Sequence, residues 1–206
     1  MRTNELFAKK TVFSFEVFPP KPDTPIETIY AALDELSQLY PDFISVTCGA
    51  SGSGSGGNRT VEVASAIKHT YGCETAAHMP CIYLTEDDAL RTLDELKKAG
   101  IENILALRGD ETPGRERAHV FEHASDLVAF IKQNAPEFNV IGACYPEGHT
   151  EAQTMAADIR NLKTKVDAGA SELISQLFFD NATFYRFLER CEIAGISVPI
   201  EAGIMP

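Results

Sequence analysis

Glu16 ends the run Thr11–Phe15 (TVFSF), so a carboxylic acid closes a stretch of β-forming residues. It shares a strand face with Val12, Ser14 and Phe18, because side chains alternate along a strand. An acid among apolar neighbours is expected to hold its proton more tightly, since desolvation disfavours the charged form. That suits a general acid working near neutral pH. The same arrangement recurs along the chain. Thr47 closes Phe43–Val46 and His78 closes the run that begins at Glu74. Arg108, Gly109 and Asp110 close Ile104–Leu107, and Tyr145 closes Val140–Cys144 with Glu147 and His149 just beyond it. Gln176 closes Glu172–Ser175. Singly, a Thr at a strand end or a His beside Ala is an ordinary structural residue. Six consecutive strands that each end in a functional group project those groups toward one end of the sheet, the end that carries the active site in barrels.

The elements that must position them follow one theme: a short β-rich run, a polar or Gly-rich turn, then an amphipathic helix. Strands are expected near 11–18, 42–48, 74–78, 102–107, 139–144, 172–176 and 197–201. Helices are expected near 25–39, 59–71, 85–99, 122–134, 151–168 and 181–194. Ile26, Ile29, Leu33 and Leu36 share one helix face, as do Met155, Ile159, Leu162 and Val166. Ala99-Gly100, Ala168-Gly169 and Ala194-Gly195 are helix stops. Strict strand–helix alternation requires a parallel sheet, because parallel neighbours need a crossover. A doubly wound sheet and a (β/α)8 barrel both satisfy it. A complete barrel takes roughly 250 residues. The expectation is a single α/β domain over 1–206, a (β/α)8 barrel without its seventh helix, eighth strand and eighth helix. Such an open barrel would expose two sheet edges.

Beside the apolar stripe of the fifth helix runs a polar one, Asp158, Asn161 and Lys165 at i, i+3 and i+7. It is either a solvated flank or a ligand groove in which Lys165 offers charge to a phosphate. The segment Ser51–Asn58 (SGSGSGGN) formally contains the glycine fingerprint of a dinucleotide-binding turn at Gly52, Gly54 and Gly57. It lies midchain and three residues past its strand, in a Ser/Gly repeat where such matches arise easily. A mobile loop over the barrel mouth is the better reading. His78 and Cys81 could be two metal ligands, but no further ligand has suitable spacing, so no metal is expected.

Composition narrows the classes. The chain has 206 residues, 44% of them hydrophobic, with a net charge of −12. That supports a packed core and argues against broad nucleic-acid or membrane-surface binding. No apolar run approaches the roughly 20 residues of a membrane span, and no signal core is present at the N-terminus. The five dispersed cysteines form no C-x-x-C pair, so reduced thiols and a cytoplasmic location are expected.

The strand-end sequences, taken in order, resemble the bacterial methylenetetrahydrofolate reductases. The matching stretches are Phe13–Pro20 (FSFEVFPP), Ile44–Ala50 (ISVTCGA), Ala76–Cys81 (AAHMPC) and Ile104–Asp110 (ILALRGD). They continue with Tyr145–His149 (YPEGH), Asn161–Ala170 (NLKTKVDAGA) and Ser175–Asp180 (SQLFFD). The resemblance implies a barrel that carries FAD at the C-terminal ends of its strands. It implies ping-pong reduction of 5,10-methylenetetrahydrofolate to 5-methyltetrahydrofolate, with NADH or NADPH as reductant. It assigns Glu16 as the acid that assists opening of the methylene bridge, Asp110 as the aspartate near flavin and pterin, and Gln176 as a folate contact. It assigns Thr47, His78, Arg108, Gly109, Asp110, Tyr145, His149, Asp158, Asn161 and Lys165 to FAD. Further copies of the complete chain are the expected macromolecular partner. The chain departs from the family at Cys48, where a Tyr is common. The competing readings are a non-catalytic cofactor-binding fragment and a Rossmann-type dinucleotide protein.

Overall fold

A computed structural model describes residues 1–21, 23–48 and 55–205, with the backbone alone described at 55–58. Among the described residues, seven strands form one sheet: β1 (Ser14–Val17), β2 (Phe43–Val46), β3 (Glu74–Pro80), β4 (Asn103–Leu107), β5 (Asn139–Cys144), β6 (Glu172–Ser175) and β7 (Ile200–Glu201). They lie in sequence order, β1 to β7, and every neighbouring pair is parallel. Six α-helices among the described residues alternate with them: α1 (Tyr30–Ser37), α2 (Ser55–His69), α3 (Glu86–Lys98), α4 (Ala124–Asn134), α5 (Met155–Asp167) and α6 (Asn181–Ile193). This is the (β/α)8 architecture with seven strands in place, not a doubly wound sheet, whose strand order would reverse. The sheet curls far enough that its end strands meet: Ser14 Oγ on β1 donates to Glu201 Oε1 on β7 at 2.8 Å.

Period-two alternation sorts the strand residues. Ile44, Val46, Ala77, Ile104 and Val140 pack into the main core under the helices. Their sequence neighbours Phe43, Ala76, Leu105 and Ile141 pack together on the opposite, inner face. Local chemistry fixes the helix ends. Thr85 and Asp88 form a reciprocal capping box at α3, Thr154 caps α5, and Asp180 caps α6. Gly100 and Gly195, with φ of +71° and +72°, turn the chain out of α3 and α6 in the left-handed region.

The N-terminal end of the barrel is closed by a buried polar layer. Thr3 donates its backbone N–H to Asn103 Oδ1 at 2.9 Å and its hydroxyl to Glu172 Oε2 at 2.6 Å. Asn139 Nδ2 donates to Thr3 Oγ1 at 2.9 Å and to Asn103 Oδ1 at 3.1 Å. Asn103 and Asn139 are register partners, so their amides meet by strand pairing alone. This end is committed to stability, leaving the opposite end for chemistry.

Several expected boundaries shift: β1 and β7 start at Ser14 and Ile200 rather than near 11 and 197, β3 runs on to Pro80, and α5 starts at Met155 rather than near 151. The first helical pattern begins as a 3-10 turn, Ile26–Ile29, before α1. Helix α2 begins at Ser55, inside the Gly-rich segment that reads as loop. The mobile-loop and fingerprint readings of that segment rest on 51–54, which lie outside the described residues. Among the described residues, no helix is long and apolar enough to cross a membrane.

Candidate functional site

The expected polar residues collect at the C-terminal ends of the strands, in two neighbouring groups. The first lies over β1–β3. Glu16 is paired in register with Ser45, and Ser45 with Ala76, while His78 stands one further inward position along β3. Because Ser45 and Ala76 are small, Glu16 and His78 approach across β2, with Nε2 and Oε2 3.4 Å apart. The Glu16 side chain is 48% exposed at the barrel mouth. Burial of its remainder raises its pKa above 4.5. Val17 beside it is buried, whereas Phe18, expected to share its apolar surroundings, is 71% exposed and does not supply them. His78 is buried, and burial lowers its pKa to about 4, so the imidazole is neutral. Among the described residues its buried Nε2 has no hydrogen-bond partner, which is costly unless the atom has a use. Thr47 is buried beside this pair, and its carbonyl accepts from the Thr60 hydroxyl of α2 at 3.0 Å.

The second group forms a cleft of about 280 Å³ between β4, β5, α4 and α5. Arg108, Tyr145, His149, Asp158, Asn161 and Lys165 all line it. Asp158, Asn161 and Lys165 do so because their i, i+3, i+7 spacing aligns them on one side of α5. Asp158 is buried and accepts from the His149 backbone N–H at 3.2 Å. Lys165 reaches past Gly142 and donates to the Ala143 carbonyl at 2.6 Å. Burial holds its pKa below the usual lysine value. The rings of Tyr145 and His149 meet edge to face at 4.7 Å. Arg108 swings over the cleft because the chain turns sharply at Gly109, which has φ +86°. A Cβ there would lie 2.9 Å from Pro80 Cβ, so the turn requires glycine.

Asp110 and Gln176 are exposed at the ends of β4 and β6, outside the cleft lining. The Arg108 pKa is raised first by the Glu151 hydrogen bond and that of Tyr145 first by burial, and the nearby Asp110 carboxylate adds to both. The cleft also contains residues that sequence reasoning did not single out: His123 and Ser125 at the start of α4, Glu151 after β5, and Thr164 on α5. Thr164 could have been found, since it precedes Lys165 on a helix already read as a groove. The other three depend on how the loops return to the barrel.

The donor set suits a ligand that is both anionic and apolar. Arg108 and Lys165 offer positive charge, Asp158 and Asn161 offer acceptors and an amide, and Ala106, Leu107, Ala124 and Leu162 supply apolar wall. A dinucleotide cofactor has this mixture, and the orphaned His78 Nε2 leaves a polar atom for a group at the barrel mouth.

A family model for methylenetetrahydrofolate reductase matches residues 2–206. The 5,10-methylenetetrahydrofolate reductase of Escherichia coli (strain K12) is 44% identical over 193 residues, covering 94% of this chain and 64% of that protein. Methylenetetrahydrofolate reductase (NADH) 1 of Arabidopsis thaliana is 35% identical over 211 residues, covering 96% of this chain and 35% of that protein. The chain thus spans less than two thirds of the length of these relatives. Among solved structures, an uncharacterized protein from Clostridium thermocellum that binds two copies of 5-methyl-5,6,7,8-tetrahydrofolic acid superposes with a TM-score of 0.61 at 14% identity. It covers 96% of this chain and 66% of that one. A putative lyase/mutase from Burkholderia cenocepacia J2315 superposes with a TM-score of 0.66 at 13% identity, covering 98% and 72%. At such identities these two show a shared fold.

Proposed function

The chain belongs to the methylenetetrahydrofolate reductase family, and on that premise we propose that it forms the catalytic barrel of an FAD-dependent enzyme reducing 5,10-methylenetetrahydrofolate to 5-methyltetrahydrofolate with NADH or NADPH. The observation that carries this reading is the cleft, where six residues assigned to FAD by resemblance lie together with a charge pattern suited to a dinucleotide. The C. thermocellum barrel, described as binding 5-methyl-5,6,7,8-tetrahydrofolic acid, supports the product class. When bound, FAD supplies the hydride relay, so that nicotinamide and folate use one site in turn.

The remaining work falls to the chain's own residues. Arg108 and Lys165 hold the diphosphate, and Asp158 and Asn161 hold the adenosine portion. Gly109 lets the backbone approach, while Tyr145 and His149 flank the cofactor. Thr47 and the neutral imidazole of His78 would hold the flavin portion at the barrel mouth. Glu16 acts as the acid: burial raises the pKa of its half-exposed carboxyl and so favours the proton-bearing form. It delivers that proton to the bridge nitrogen of the folate as the methylene bridge opens to the electrophilic iminium. Asp110 places a negative charge beside the cation that develops there. Gln176, exposed at the next strand end, offers its amide to the folate.

Cofactor extraction tests the reading. The purified protein should release FAD, and Lys165→Ala should weaken its retention by about 1.5–3 kcal/mol, the worth of a charged hydrogen bond. Chromatography of the released flavin decides; FMN, or no flavin, would sink the proposal.

A further inference from the structure

One ion pair bridges the cleft at its mouth. Arg108 leaves the end of β4, and Glu151 stands two residues past His149 in the segment that follows β5. Arg108 Nη2 donates to Glu151 Oε1 at 2.8 Å, and Nη1 donates to Oε2. This two-pronged pairing is the one by which a guanidinium recognises a carboxylate or a phosphate with equal geometric fit. The partners are unequal in position, although both line the cleft. The Arg108 side chain is 21% exposed and that of Glu151 is 59% exposed. Arg108 is part of the wall, whereas Glu151 reaches in from solvent.

The backbone aims Glu151 at this position. Its N–H donates to His149 Nδ1 at 3.2 Å, and the His149 N–H donates in turn to the buried Asp158 on α5. The carboxylate is therefore presented to Arg108 by a loop anchored on the opposite wall of the cleft. The pairing pulls the Glu151 pKa below the usual carboxylate value, with the Arg108 hydrogen bond as the largest cause.

We propose that Glu151 is a built-in stand-in for the cofactor's phosphate, occupying Arg108 in the free protein and leaving it when the diphosphate binds. The inference rests on the reading that assigns Arg108 to the diphosphate of FAD. It gives Glu151 two effects. It holds the guanidinium fork over the cleft, and it competes with the ligand for that fork. The competition lowers cofactor affinity, because the ion pair must be broken and a carboxylate would otherwise lie beside a diphosphate.

Binding titrations of Glu151→Gln and Glu151→Ala test this, with FAD followed by flavin fluorescence and ADP by calorimetry. Both variants should bind both probes about two- to fivefold more tightly than the unaltered protein, the range over which an exposed ion pair shifts an equilibrium. The gain should shrink at high salt and vanish in an Arg108→Ala background. Unchanged or weaker binding of FAD and ADP by the two variants overturns the proposal. So does a gain that persists without Arg108. An unaltered protein that binds neither probe would instead overturn the cofactor reading on which the proposal stands.

Discussion

Glu201 is the carboxylate whose removal has the most distinctive consequence. It lies on β7 with its side chain inside the barrel. Oε1 accepts from Ser14 at 2.8 Å, and the buried Oε2 has no partner among the described residues. Burial, and next the negative charges of Glu172 and Asp42, raise its pKa from 4.5 to about 7, against the opposing Ser14 hydrogen bond. The folded protein therefore binds this proton more tightly than the unfolded chain does. The resulting stability is full below pH 4.5 and is lost as the pH rises through about 7. The difference corresponds to about 3 kcal/mol. Glu201→Gln keeps the shape and removes the ionisation. At pH 5 the variant and the parent should unfold at nearly the same denaturant concentration. At pH 8 the variant should be more stable by up to about 3 kcal/mol, or some 6–12 °C in Tm for a domain of this size. Paired denaturant and thermal unfolding at the two pH values measures this. A variant with the parent's pH dependence, or one equally destabilised at both, would refute the claim that the barrel interior holds Glu201 protonated.

Other outcomes follow from the same geometry. His78, with its pKa lowered to about 4 by burial, should stay unprotonated in the folded protein until the pH approaches that value. Its contribution to stability is present above pH 6.5 and is lost as the pH falls through about 4. Imidazole ¹⁵N shifts read this directly, and a midpoint near 6.5 would contradict it. Gly142→Ala places a Cβ 2.8 Å from Lys165 Cδ and 3.1 Å from Leu173 Cδ2. It should cost about 1–3 kcal/mol of stability and, by displacing Lys165, weaken flavin binding. Melting and flavin titration of the variant check both, and undiminished flavin affinity would show that Lys165 is not placed by this contact.

Much of this architecture is legible in the sequence because its determinants are local. Strands β4 to β6 are β-forming runs whose polar residue, Arg108, Tyr145 or Gln176, arrives where pairing stops. Helices α3, α5 and α6 carry their own caps at Thr85, Thr154 and Asp180. The Asp158–Asn161–Lys165 stripe follows from helical period alone, and the structure turns it into one wall of the cleft. What was not legible depends on residues distant in sequence. Glu151 reads as one acid in a polar loop, and only the return of that loop across the barrel brings it to Arg108, 43 positions earlier. His123 reads as part of a helix start. Thr3, Asn139 and Glu172 look unremarkable until strand register stacks them into the layer that closes the barrel floor. The start of α2 is not legible because Gly-rich composition lowers helix propensity.

The central claim is that Glu16 supplies the proton for folate reduction and takes no part in reduction of the cofactor. Stopped-flow absorbance of the flavin in Glu16→Gln tests it most directly, because each half-reaction is followed alone. Reduction by the nicotinamide should proceed near its normal rate, with FAD still bound. Reoxidation by methylenetetrahydrofolate should slow by about 10²–10⁴, the usual contribution of general acid catalysis. Equal slowing of both half-reactions, or no slowing of the folate step, would contradict the assignment.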